Sequence, residues 1–369
     1  MESSPRFSSL RRAAAWTAAF FESLPMRARQ EWKIVLASVV GLMMLSVAML
    51  VYALQDRTPT DAAVSGEEET VVLENQHERA LDGVLVHVSS THLLPVGVMV
   101  ENSTDAWPLQ GPAKAQLVFE APVEGSITRF FLVFDASSTV AEIGPVRSAR
   151  PYYVEWANGL DALYAHVGGS PDALDLVGSF EGFRDLNEFF NGWAFWRSPS
   201  RIAPHNVMTR MDLLLQAAER KKFTAGSFEP WTYGDAPTST EVTVGNIVVP
   251  YQGAYGARWV YDAATGLYTR HYATGGIVRD ADGTPVTATN VVILRTDATV
   301  LDGVGRLKLR TTGTGSAQVF TRGGMRTVEW TRTQGSHMQF AGVDGTDVLF
   351  SRGTTWISAV TDGDAFAAE

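Results

Sequence analysis

Three arginines and two histidines carry most of the chemistry that this sequence offers. Arg129 follows Thr128 inside an otherwise apolar run, so its guanidinium must leave a hydrophobic segment for a partner. Arg147 and Arg150 stand three apart just before Pro151, where the free N–H groups and positive dipole end of a starting helix also attract anions. Converging, the three arginines make a site for phosphate, pyrophosphate or a carboxylate, with Glu124 and Asn206 beside them as the expected ligand-binding set. Glu120 and Glu124 support the other reading, in which carboxylates pair with the same arginines in a buried ion network. His166 ends an apolar run before Gly168-Gly169-Ser170, and His205 sits in Pro204-His205-Asn206. With Glu120 they are the candidate catalytic residues, as general acid and base. Joined by Glu101 or Glu120 the histidines could ligate a metal, yet no His-Glu-x-x-His spacing is present, and no metal or cofactor is expected. The alternative is that each histidine hydrogen-bonds a loop backbone. Ser170 follows two glycines, a placement that superficially suits a nucleophile, but Pro171 comes next, which makes it a helix N-cap.

Composition decides where this chemistry is placed. The chain has 369 residues, no cysteine and a net charge of −10, which excludes disulfides, thiol catalysis, iron–sulfur clusters and zinc ribbons, and argues against nucleic-acid binding. Residues 1–54 carry +3 and the rest −13. Between these charges, residues 34–54 form 21 uncharged positions with eleven Leu, Ile and Val, enough to favour membrane insertion by roughly 3 to 7 kcal/mol and to cross a bilayer as a helix. Basic residues precede this span and acidic ones follow it, so the N-terminus is expected in the cytoplasm and the remainder outside. The predicted organisation is a cytoplasmic tail (1–33), a transmembrane signal anchor (34–54), a stalk (55–91), a first domain (92–223), a second domain (236–360) and a short tail (361–369).

The elements that must position the polar residues can be read from periodicity and capping. Residues 94–100, 127–134 and 162–167 are short apolar runs that suit buried strands. Pro151, Ser170-Pro171 and Thr209 with Asp212 mark three helix starts. From 241 onward, short runs rich in Val, Thr, Tyr and Trp alternate with Gly and Asp turns, at 257–261, 267–272, 290–296, 306–310, 317–321, 326–331 and 355–360. The fold class is therefore α+β: a mixed first domain and an all-β second domain, a sandwich or partly closed barrel. Trp259, Trp330 and Trp356 are expected inside it. Trp156, Trp193 and Trp196 suit either the core or stacking on a sugar.

The residues also carry a resemblance. Residues 120–129 (EAPVEGSITR), 143–152 (IGPVRSARPY), 165–171 (AHVGGSP) and 203–206 (APHN) resemble the YerB-like family of bacterial envelope proteins. In the second half, 256–262 (GARWVYD), 268–270, 288–292, 313–317 and 353–357 resemble that family's second domain in the same order. The resemblance implies an extracytoplasmic protein of a family whose function is largely unknown and whose members are often lipid-anchored through a cysteine. Here, with no cysteine, the helix at 34–54 must anchor the chain. The function this implies is a membrane-anchored binding module for a cell-wall glycan, a lipid-linked ligand or a protein partner. The alternative is an enzyme acting on a phosphate- or pyrophosphate-linked glycan, because the order Thr-Arg, Pro-Val-Arg-Ser-x-Arg, Gly-Gly is similar to enzymes that transfer glycopolymers from pyrophosphate-linked lipids; Phe130 stands where those carry an Asp.

Overall fold

The computed structural model describes residues 76–87, 94–235, 244–361 and 366–368, together with Pro25, Met43, Met44, Ser46 and Met49. The chain divides into two compact units, Met1–Leu73 and Glu74–Glu369. The span predicted at 34–54 lies outside the described residues, apart from four helical positions, Met43, Met44, Ser46 and Met49. Among the described residues no helix is long and apolar enough to cross a membrane. The second unit carries every candidate site residue.

Its first half supplies β1 (Pro95–Glu101), β2 (Leu117–Pro122), β3 (Thr128–Asp135), β4 (Leu163–His166) and β5 (Asp185–Asn187), with helices α1 (Pro151–Gly159), α2 (Pro171–Ser179) and α3 (Met211–Arg220). The second half supplies β6 (Asn246–Val249), β7 (Ala257–Asp262), β8 (Leu267–Tyr272), β9 (Thr287–Ala288) and β10 (Asn290–Thr296). It continues with β11 (Gly313–Thr321), β12 (Gly324–Arg332), β13 (Gln339–Gly342), β14 (Thr355–Thr361) and β15 (Ala367–Ala368), and its described residues contain no α-helix. The architecture is thus α+β with an all-β second half.

Ten strands form one mixed sheet, in the order β13-β12-β11-β10-β14-β2-β3-β1-β4-β5. It runs through both halves of the chain, joined where β14 inserts parallel to β10 on one side and to β2 on the other. The strands β9-β8-β7-β6-β15 make a second, antiparallel sheet. Apolar runs without alternation, such as β1 and β3, are explained by burial of every residue in both. Val98, Val118, Phe130 and Leu132 on one face share a core with Trp259 and Tyr268 of the second sheet and with Leu214 of α3. Met99, Phe119, Phe131 and Val133 on the other face pack against Tyr152, Tyr153 and Trp156 of α1. Gly97 in β1 leaves room for this packing, since a Cβ there would sit 2.2 Å from the ring of Phe131.

Helix starts follow the sequence with one exception. Ser170 caps α2, its Oγ accepting the Ala173 N–H at 3.3 Å. At α3 the predicted capping box does not form: Arg210 is the N-cap, and Thr209, fully buried, instead donates its hydroxyl to the Ala194 carbonyl at 2.8 Å. Thr209 pairs its backbone with Ile143, which turns the hydroxyl away from the helix. The last part of the expected stalk is also folded. Residues 76–78 and 85–87 form a hairpin whose turn buries Leu81 and Asp82, held by the Tyr233 hydroxyl on the Leu81 carbonyl and by the Gly353 N–H on the Asp82 carbonyl. The polarity of the flanking sequence conceals this docking.

Candidate functional site

Register places the first arginine. Arg129, near the start of β3, lies directly opposite Glu101 on β1, so both side chains leave on the α1 face of the sheet. Glu120 on β2 lies opposite Phe130, one residue on, and therefore leaves on the other face. Residues 145–149 are then fastened across the end of the sheet: Arg147 N–H donates to the Met99 carbonyl, Val167 N–H to that of Arg147, and Ala149 N–H to that of Gly168. This strap brings Arg147 and Arg150 to Arg129.

The three guanidiniums differ in what they meet. Arg150 holds Glu124 through two bonds of 2.7 Å, from Nε and Nη2, and donates Nη1 to the Ala149 carbonyl. Burial alone would raise the Glu124 carboxyl, but the Arg150 hydrogen bonds and charge outweigh it and hold the group below its ordinary range. Arg147 donates Nη1 to the Pro204 carbonyl at 3.2 Å, and its Nε stands 3.6 Å from Glu101 Oε2, too far for a hydrogen bond. Glu101 Oε2 also meets His205 Nδ1 at 2.8 Å, while its Oε1 is buried without a partner. Arg129 is only 6% exposed, donates to the Ser148 carbonyl at 2.6 Å, and forms no carboxylate pair among the described residues. Burial, reinforced by the charges of Arg150 and Arg147, pushes its pKa down to about 10. The cluster therefore sets three guanidiniums against two carboxylates, and the uncompensated charge is the buried one.

The remaining expected residues are distributed differently. His166 is fully buried, with Nδ1 2.6 Å from the Gly168 carbonyl and Nε2 2.7 Å from Asp185 Oδ1. Both ring nitrogens are thereby occupied, so the side chain clamps the β4–α2 turn and presents no free nitrogen to a substrate. Glu120 is sealed in the core between the two sheets, where it accepts from Thr128 Oγ1, Arg270 Nη2 and Trp356 Nε1, each at 2.9 Å. It is not brought to the arginines. Asn206 neighbours His205 in sequence, but its Oδ1 accepts from Arg197 Nη1 at 3.1 Å. His205 lines a surface groove of about 710 Å³ with Trp107, Gln110, Arg201 and Ile202, which the three arginines do not line. Trp156, Trp259, Trp330 and Trp356 are buried, whereas Trp193 is 41% exposed. Sequence reasoning missed Arg270 as the partner of Glu120. Its signal was position: in the alternating strand β8 (LYTRHY) Arg270 shares the inward face with buried Tyr268.

A mixed sheet shared by an α/β half and an all-β half, with an arginine cluster at the end of the first, defines a two-domain family. Residues 81–224 match "Protein of unknown function (DUF3048) N-terminal domain" and residues 247–357 the corresponding C-terminal domain. The chain belongs to this YerB-like family. It is 32% identical over 292 residues to "Putative lipoprotein YerB" of Bacillus subtilis, covering 77% of this chain and 86% of the relative. A crystal structure of the YerB protein from Bacillus subtilis matches with a TM-score of 0.71 and 31% identity, over 79% of this chain and 99% of that one. The crystallised relative is thus matched over almost its whole length, and both family domains of this chain, at 81–224 and 247–357, lie within the compact second unit.

Proposed function

We propose that this chain is a membrane-anchored envelope protein whose folded unit binds an anionic ligand at the Arg129 cluster. One observation carries the reading: Arg129, 6% exposed and without a carboxylate pair among the described residues, also feels the charges of two further arginines, Arg150 and Arg147. A buried cation in that setting is stabilised by an incoming anion. Anchoring by residues 34–54, with the N-terminus in the cytoplasm and the folded unit outside, is supported by the charge asymmetry around that span and by the lipoprotein name of the Bacillus relative. Ligands of the right chemistry are phosphorylated or carboxylated envelope components such as a wall glycan or a lipid-linked pyrophosphate.

Titration calorimetry of residues 74–369 with pyrophosphate tests the cluster. Binding is expected, weakened at least about tenfold by Arg147→Ala, since a hydrogen bond to a charged group contributes about 1.5–3 kcal/mol. Absence of heat with the unaltered protein, or an affinity unchanged by Arg147→Ala and Arg129→Met alike, would remove the arginines from a binding role. Topology is tested separately by protease treatment of spheroplasts bearing the full chain: the 92–360 region is expected to be digested, and its protection would place it inside.

A further inference from the structure

We propose that the surface built by residues 188–222 rests on an anionic lipid bilayer. Just past the edge strand β5 the chain exposes Phe189 (67%), Phe190 (81%), Trp193 (41%) and Ile202 (85%), a concentration of large apolar side chains that water disfavours. The aromatics are held rather than loose. Phe189 lies so close to Gly168 that a Cβ there would sit 2.9 Å from its ring, and the Arg220 guanidinium stacks 3.8 Å over the Trp193 ring. Arg220 also begins a basic run, because Lys221 and Lys222 follow it in exposed positions; the Arg197 side chain, 54% exposed, stands 3.8 Å from Glu188. Residues 188–222 hold six basic and three acidic residues in a chain whose net charge is −10. Apolar and aromatic tips flanked by Lys and Arg are the chemistry of a protein face that dips into the headgroup region of anionic lipid.

The test is flotation of residues 74–369, which lack the anchor, with vesicles of phosphatidylglycerol and phosphatidylcholine or of phosphatidylcholine alone. The unit is expected to float with the anionic vesicles, much less with the neutral ones, and to be released by high salt. F189S/F190S is expected to lower the bound fraction at least tenfold, and Lys221→Glu with Lys222→Glu to lower it severalfold. Circular dichroism and pyrophosphate binding, expected to be unchanged in F189S/F190S, show that the fold and the arginine cluster persist. Failure to float, or flotation indifferent to these substitutions, overturns the docking surface without touching the anchor or the anion site. A dimer in light scattering that F189S/F190S dissociates overturns it too, and assigns the surface to a second copy.

Discussion

Replacing Glu120 with alanine is expected to cost the folded unit about 3–5 kcal/mol, the loss that follows when one partner of a buried ion pair is removed. Glu120 and Arg270 have side chains 0% and 4% exposed and meet at 2.9 Å. The guanidinium is enclosed by Trp356 at 4.8 Å and by Trp259 and Phe130 at 5.5 Å, and its Nη1 already lacks a hydrogen-bond partner. Without the carboxylate, the cation would be stranded between two sheets, and Trp356 Nε1 would lose its acceptor. A domain is typically stable by about 5–15 kcal/mol, so urea denaturation should show a large fall in midpoint, or no folded protein. The double variant Glu120→Leu with Arg270→Met should recover most of the loss, because an apolar pair of similar volume has no charge to desolvate. A midpoint for Glu120→Ala close to that of the unaltered protein would show that the pair does not hold the sheets together.

The second large effect lies in the dependence of stability on pH, where two buried groups oppose each other. His337 packs its ring against Trp231 at 4.8 Å and is held neutral, its pKa pushed down to about 3 by burial and by the charge of Arg332. Its contribution to stability is complete above the unfolded value of 6.5 and is lost as pH falls toward 3, on the order of 3 kcal/mol by pH 4. Asp280 runs the other way. Burial raises its carboxyl to about 6 from 3.8, against the opposing hydrogen bonds from the Ala113 and Gly111 N–H groups. Its contribution is complete below 3.8 and is lost as pH rises through 6, so acidification from 6.5 to 4 regains on the order of 3 kcal/mol. The two slopes nearly cancel. His337→Gln should therefore gain stability relative to the unaltered protein between pH 6.5 and 4, and Asp280→Asn should lose it. Parallel pH profiles for all three proteins in urea denaturation would contradict both assignments.

What the sequence made legible was local. The runs at 267–272 and 290–296 coincide with β8 and β10, because their Gly and Asp boundaries are turns in the chain itself. Ser170 caps its helix as its neighbour Pro171 implies. Thr209 did not, because the partner that captures its hydroxyl, Ala194, is fifteen residues away and belongs to another segment. The arginine cluster was legible as a set of cations but not as a balance of charge. Glu120 and Glu124 both stand shortly before Arg129 in sequence, yet strand register sends Glu120 through the sheet to Arg270 and leaves Glu124 to Arg150. Register is fixed by the pairing of β3 with β2, its neighbour in sequence, and with β1, and by that of β2 with β14, which comes from the far end of the chain. For the same reason a single sheet running through both halves could not be seen in runs that each read as a domain of its own.

The position of β14 bears on the order in which this protein can be completed. A chain emerges from its N-terminus, and β2 and β10 are both made long before residues 355–361, the strand that lies between them. Until that strand arrives, β2 and β10 each present an open row of backbone donors and acceptors, the template that invites pairing with another chain. The final sheet therefore closes through its most non-local contacts, a topology that folds slowly. A polypeptide terminated before residue 355 would retain most of its sequence but lack the strand that joins its two halves.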